Sequence, residues 1–245
     1  MSAQRTIVAI GGRGFTHVGR VSAVERYVLS FARTARPKVC FIPTASNDPA
    51  ARVRRFYRAF RSVDCEPSHL DLFRQTVVDV DAFLASQDVV YVGGGNTRNL
   101  LLLWKAWGVN RALYRAYRGG TVMAGVSAGA LCWFREGVTD SYAGKLAPLR
   151  ALGWLGGSFV PHYDSEPERR PTYRRLVARG RLRAGFAADD GVALRFADEH
   201  FVEAVSDVTG AGAYRMTRVL RGARERTLPV RLLSPEESLG PARLP

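Results

Sequence analysis

Lysine, histidine and cysteine are scarce in this chain of 245 residues, and long apolar runs are missing. The three cysteines, Cys40, Cys65 and Cys132, are odd in number, lie far apart and show no CxxC spacing. That excludes a disulfide framework and a zinc knuckle, and fits a reducing compartment. No stretch approaches the roughly 20 apolar residues of a bilayer-spanning helix, and Met1 to Ile10 lacks the apolar core of a signal peptide. A soluble, unexported, cytoplasmic protein without a membrane partner is therefore expected. Lysine occurs only at Lys38, Lys105 and Lys145, so arginine carries nearly all of the 36 basic residues behind the formal net charge of +14. Such a charge attracts polyanions, but the arginines are scattered, with their densest clusters at 52–61, 169–183 and 215–226. They read as solvated helix faces whose stems cover apolar surface, and no specific nucleic-acid partner is expected.

What is present is enough apolar material for a core: 47% of residues are hydrophobic against 24% charged, which argues against disorder. Four short β-branched or apolar runs, Thr6 to Ile10, Lys38 to Ile42, Asp88 to Val92 and Gly120 to Ala124, each end at glycine or proline. Runs of this kind suit parallel strands buried on both faces. Helical spacing fills Val21 to Thr34, Pro49 to Ser62, Asn96 to Tyr117 and Ala128 to Phe134. The alternation predicts an α/β fold with a doubly wound, mostly parallel sheet, whose ligands sit beyond the carboxyl ends of the strands. After Trp133 the chain turns to Gly-, Pro- and Ser-rich punctuation around Leu152 to Pro161. A helix from Pro171 to Ala178 follows, then strands near Gly191 to Phe196 and His200 to Ala204 with period-2 alternation that suggests antiparallel pairing. No repeat or linker divides the chain, so residues 1–245 are expected to form one domain, with a proline-bearing surface tail from about residue 229.

The strongest local signal is Gly125-Val126-Ser127-Ala128-Gly129, lying between an apolar run and a helix-compatible segment. A sharp strand-to-helix turn lifts a serine hydroxyl above the sheet and aims helix N–H groups at developing negative charge, the setting of a nucleophile elbow. A second loop, Gly93-Gly94-Gly95-Asn96-Thr97, exposes successive amides able to hold an oxyanion or a phosphate. It lacks the GK[ST] ending of a nucleotide loop. Gly11-Gly12-Arg13-Gly14 reads as a tight turn. A serine nucleophile needs a base, and only His17, His69, His162 and His200 exist. His162, in Val160-Pro161-His162-Tyr163-Asp164, stands at a proline-stiffened strand end where it can reach a neighbouring strand end. For the orienting acid, Asp140 lies between serine and histidine in the order seen in other α/β hydrolases. Glu136 competes with it, and Asp164 is the weaker choice.

Taken together, Ile7 to Gly12, Ile42 to Ser46, the Gly93 to Thr97 loop, Gly125 to Ala130, Pro161 to Asp164 and Asp189-Asp190-Gly191 resemble the peptidase E (aspartyl dipeptidase) and cyanophycinase-like serine peptidases. The resemblance spans most of the chain. It implies a flavodoxin-like, class I glutamine-amidotransferase-like fold with serine in place of cysteine. It further implies Ser127 as nucleophile, His162 as base, and the amides of Gly95 and Ala128 as oxyanion donors. Asp140 is preferred over Glu136 as third member, since the family uses either acid. Asn96 and Thr97 match residues that hold the substrate's acidic side chain and amino group. An arginine beyond the histidine should assist, with Arg170 chosen from Arg169, Arg170, Arg174 and Arg175. No metal or organic cofactor is implied. The expected partner is a small peptide, with a homodimer as an open assembly. Aspartyl dipeptides are the leading substrates; the alternatives are β-aspartyl-arginine or another isopeptide, or a catalytically inactive protein binding an acidic ligand or nucleic acid.

Overall fold

A computed structural model describes residues 4–46 and 49–234. The first half runs β1 (Thr6–Ile10), α1 (Phe15–Val18), α2 (Ala23–Leu29), β2 (Lys38–Ile42), α3 (Pro49–Phe60) and β3 (Glu66–His69). It continues with α4 (Val80–Ala85), β4 (Val89–Val92), α5 (Thr97–Ala106), α6 (Val109–Gly119) and β5 (Val122–Val126). The second half holds α7 (Ala128–Leu131), β6 (Phe134–Tyr142), β7 (Lys145–Arg150), β8 (Leu155–Val160), α8 (Arg169–Ala178) and β9 (Gly185–Ala188). Five more strands follow: β10 (Val192–Ala197), β11 (His200–Ser206), β12 (Ala213–Val219), β13 (Gly222–Leu228) and β14 (Val230–Leu232).

Two sheets result. The larger has eight strands in the order β14-β11-β10-β1-β5-β4-β2-β3. Its five-strand block from β1 to β3 is parallel throughout, while β10 and β11 join antiparallel. Every residue of β1 is buried, and alternate side chains enter opposite cores: Ile7 and Ala9 face one cluster, Val8 and Ile10 the other. This is why the run carries no polar alternation. The chain leaves β2 toward β3 but passes from β4 to β5 in the other direction, so the topological switch lies between β2 and β4. The loops behind those strands meet there, with the Asn96 amide donating to the Ala45 carbonyl at 2.8 Å.

The smaller sheet has six strands in the order β13-β12-β9-β8-β6-β7, of which β6, β8 and β9 are parallel. Phenylalanines from both sheets join them: Phe134 and Phe159 stack at 4.8 Å, and Phe196 of the large sheet meets Phe134 and Phe186 edge-on at 5.5 and 5.4 Å. Helix α8 packs on the far side, where Val138, Val160, Tyr173 and Met216 form their own cluster.

Four sequence expectations are corrected. The helix expected from Asn96 to Tyr117 is two helices, because Gly108 adopts φ 70° and breaks it. The helix expected from Ala128 to Phe134 stops at Leu131, and the chain turns into β6. The glycine-rich stretch before Pro161 is strand β8. Gly157, at φ 81°, lets the strand kink where a Cβ would strike the Ala184 carbonyl, so this glycine permits a bulge rather than ending the element. The tail expected from residue 229 begins as β14, which pairs in parallel with β11; residues 235–245 lie outside the described ones. Among the described residues no helix is long and apolar enough to cross a membrane.

The loop after β1 is held by a carboxylate inside the core. Glu25 is 1% exposed and completes a capping box at the start of α2. Its oxygens accept from the amides of Phe15 and Ser22, each at 2.9 Å, and from the Tyr91 hydroxyl at 3.1 Å. Burial raises its carboxyl above the ordinary range despite these donors. Replacing it leaves two amides without a partner, so Glu25→Ala should cost about 2–4 kcal/mol of unfolding free energy in urea titrations.

Candidate active site

Ser127 sits between β5 and α7 at φ 56°, a left-handed conformation that costs a residue with a Cβ of order 1–3 kcal/mol and marks functional turns. The surroundings impose it. The Ser127 amide donates to the Ile10 carbonyl at 3.0 Å, and its carbonyl accepts from Leu131 at 2.9 Å. A Cβ at Gly125 would collide with the Gly129 carbonyl, and one at Gly129 with the Val92 carbonyl, so both glycines of the elbow are required by packing. The glycine loop after β4 lies against the serine: a Cβ at Gly94 would be 3.2 Å from Ser127 Cβ and 3.7 Å from its Oγ.

His162 follows β8 at φ 53°, with its amide on the Gly11 carbonyl at 3.3 Å. Its Nε2 is 2.8 Å from Ser127 Oγ, and its Nδ1 is 2.7 Å from Oδ1 of Asp190. Burial acts to raise the Asp190 carboxyl, but the hydrogen bond and charge of His162, with Ser165 and the charge of Arg13, outweigh it and hold it below the usual range. An ionised carboxylate only accepts, so Nδ1 carries a proton and Nε2 is left to accept from the serine hydroxyl. Three side chains linked in this way can serve as the nucleophile, base and acid of acyl-transfer chemistry.

The carboxylate bonded to His162 is thus that of Asp190, not of Asp140 or Glu136. Asp140 is 56% exposed and 4.0 Å from Arg169, while Glu136 accepts from the Arg183 amide at 2.6 Å. Both lie on β6, and the Nδ1 of His162 is bonded to neither of them. Asp190 instead enters from the connection between β9 and β10. Its amide donates to Asp164 Oδ1 at 2.9 Å, so the carboxylate of the weaker sequence candidate braces the acid's loop to the base's loop. The sequence signal for Asp190 was the Asp189-Asp190-Gly191 stretch that shares in the family resemblance. A Cβ at Gly12 would collide with Oδ1 of Asp190 and lie 2.6 Å from Nδ1 of His162; Gly11-Gly12 is a close approach of the loop after β1 to the acid–base pair. The Asp190 loop is fixed further by Asp189, whose Oδ2 accepts from the Gly212 amide at 2.7 Å and the Tyr214 hydroxyl at 3.2 Å. Burial raises the Asp189 carboxyl.

The remaining candidates divide. Asn96 caps α5 through Oδ1, accepting from the Asn99 amide at 2.9 Å. Thr97 is 2% exposed; its amide donates to Ser141 Oγ at 3.0 Å and its hydroxyl meets Thr139 at 3.4 Å, so it ties α5 to the β6–β7 hairpin. Arg170 is engaged as well: it pairs with Glu225 and lies over the Tyr163 and Tyr214 rings at 5.4 and 4.9 Å. Among the other histidines, His69 bonds the Tyr57 hydroxyl at 2.9 Å and His200 the Asp198 carbonyl at 2.7 Å, while His17 is exposed on α1.

The profile of peptidase family S51 matches residues 7–204. Uncharacterized peptidase YgaJ of Bacillus subtilis (strain 168) is 48% identical over 229 residues, covering 94% of this chain and 99% of that protein. Peptidase E of Streptomyces coelicolor is 30% identical over 152 residues, or 61% and 62% of the two chains. The crystal structure of a peptidase from an acI-B1 Actinobacterium superposes with a TM-score of 0.67 at 14% identity over 94% of this chain and 96% of that one. A putative peptidase E from Listeria monocytogenes EGD-e gives 0.60 at 21% identity, covering 82% and 98%. The two structures share the doubly wound, flavodoxin-like fold.

Two outcomes follow from the geometry. Gly12→Ala and Asp190→Asn should each slow labelling of Ser127 by a fluorophosphonate roughly 100-fold or more, whereas Asp140→Asn should leave it within a few-fold. Because the folded carboxyl of Asp190 is depressed, its contribution to stability is present above the ordinary aspartate range and lost as pH falls through the folded value. The urea midpoints of wild type and Asp190→Asn should therefore differ most near neutrality and converge in acid.

Proposed function

From the premise that the chain belongs to peptidase family S51 and is a peptidase, we propose that it is a cytoplasmic serine peptidase of short peptides, with N-terminal aspartyl dipeptides its leading substrates. The observation that carries this reading is the unbroken path from Ser127 Oγ through His162 to Asp190, with links of 2.8 and 2.7 Å.

His162 takes the proton from Ser127 as the oxygen attacks the scissile carbonyl, and Asp190 steadies the imidazolium that forms. The oxyanion is received by the amides of Ala128, at the start of α7, and of Gly95, in the loop packed on the serine. The imidazolium then protonates the departing amine. Water, activated by the same imidazole, releases the acyl group and restores the serine. Asn96, whose Oδ1 caps the helix, presents its side-chain Nδ2 to the bound peptide.

The test is steady-state hydrolysis of dipeptides with aspartyl, glutamyl, asparaginyl and neutral N-terminal residues, beside a β-linked aspartyl-arginine. Aspartyl dipeptides should be turned over best, and Ser127→Ala should lose roughly 10⁴-fold or more in kcat without loss of fold. Equal turnover by Ser127→Ala would remove the serine mechanism. Exclusive cleavage of the β-linked substrate would move the specificity to isopeptides.

A further inference from the structure

A cleft of about 760 Å³ opens at the switch point of the large sheet, the place where open α/β sheets take their ligands. Ala45, from the loop after β2, and Asn96, from the loop after β4, stand at the end nearer Ser127. Two close approaches tie that end to the nucleophile. A Cβ at Gly94 would be 3.7 Å from Ser127 Oγ, and one at Gly95 would strike the Ala45 carbonyl, which also accepts from the Asn96 amide at 2.8 Å. Asn96 is two residues beyond Gly94, at most about 7 Å along the chain. From there the cleft follows one face of α5, where Asn96, Leu102 and Leu103 line it while Thr97, Leu100 and Trp104 turn into the core. Asn96 to Leu103 covers about 10 Å of helix axis.

The lining is apolar where it meets solvent. Leu102 is 56% and Phe73 60% exposed, and Pro49 and Leu103 add to the same walls. The amide of Phe73 donates to Asp71 Oδ1 at 2.9 Å, which fixes the loop that carries the ring. Among the described residues that line the cleft none is charged, in a chain where 24% of residues are. Such walls favour an apolar side chain and give no counter-charge to an ammonium or a carboxylate that would lose water there. A contiguous apolar concavity on the surface marks a place for a ligand.

We infer that this cleft is a specificity subsite that seats an apolar side chain of the peptide substrate on the leaving-group side of the scissile bond. The inference rests on the peptidase reading above and adds the second residue to it. A leucine or phenylalanine next to the scissile carbonyl reaches on the order of 10 Å from it, far enough to enter the cleft past Asn96. The acidic N-terminal residue of the proposed substrates does not suit uncharged walls, so the residue seated there is the one that departs with the amine. The favoured substrates are then aspartyl dipeptides with a large apolar second residue.

The experiment measures kcat/KM of wild type, Leu102→Ser, Phe73→Ser and Leu102→Asp on Asp-Gly, Asp-Leu, Asp-Phe, Asp-Lys, Ala-Gly, Ala-Leu and Leu-Gly, with thermal melting as the control for the fold. The ratio of Asp-Leu to Asp-Gly is taken within each variant, so a general loss of activity cancels. Wild type should favour Asp-Leu and Asp-Phe over Asp-Gly roughly 10- to 100-fold, mainly through KM. Leu102→Ser and Phe73→Ser should each lower that ratio several-fold, and Leu102→Asp should favour Asp-Lys over Asp-Leu. A wild-type ratio near one, or a ratio that no variant moves, would overturn the subsite. Leu-Gly cleaved better than Asp-Leu, with the same sensitivity to the variants, would put the apolar residue on the acyl side and overturn the assignment as made. A dimer in sedimentation that Leu102→Asp dissociates, with the ratio unmoved, would give the cleft to a second copy instead. Ala-Leu cleaved as well as Asp-Leu, and far better than Ala-Gly, would remove the aspartyl reading and keep this one. Hydrolysis of none of the peptides, with Ser127 still labelled by a fluorophosphonate, would remove the peptidase reading and this inference with it.

Discussion

One imidazole ring makes the rest of the structure accountable to it. Ser127 belongs to the eight-stranded sheet, His162 emerges from the six-stranded one, and Asp190 comes from the connection that passes between them. The two hydrogen bonds of the ring, 2.8 and 2.7 Å long, tolerate displacements of only a few tenths of an ångström. The two sheets must therefore be docked to that tolerance. The phenylalanine cluster of Phe134, Phe159, Phe186 and Phe196 supplies the rigid joint, because close-packed aromatic interiors resist sliding.

The small sheet contributes more than the base. Tyr163, next to His162, donates to Glu225 of β13 at 2.6 Å, and Glu225 also holds Arg170 of α8. Tyr214 of β12 donates to Asp189, next to Asp190, at 3.2 Å. Each half of the acid–base pair is thus flanked in sequence by a residue tied to the same outer strands. Asp164 closes the arrangement by accepting the Asp190 amide. Support of this kind fixes rotamers, which is what a proton relay requires of its scaffold.

Much of this was legible in the sequence where the signal is local. Parallel strands buried on both faces leave unbroken apolar runs, so β1, β2, β4 and β5 could be read directly, with their glycine-punctuated ends as site loops. Ser127 and His162 stood out through their neighbours. The acid did not, because a carboxylate on an irregular connection has no periodicity, and Asp140 satisfied chain order without satisfying geometry. The small sheet was hidden for a related reason: β6 and β13 mix charged and apolar residues, and β8 carries two glycines. Of the arginines beyond the histidine, Arg169 pairs with Glu166 three residues before it, whereas Arg170 pairs with Glu225 of β13, a partner that sequence spacing could not bring to it.

The passage of the loop after β1 beside the acid–base pair also limits how long the acid can be. Gly12 approaches Asp190 so closely that even one added carbon on that side has no room. The same restriction applies from the opposite direction: a glutamate at position 190 would bring its extra methylene into the gap that Gly12 keeps narrow. Exchange between the two acids in this scaffold is therefore not a one-residue step, since it needs the loop after β1 to withdraw or the loop after β9 to lengthen. The length of the acid and the course of the loop after β1, nearly 180 residues earlier in the chain, thus constrain one another.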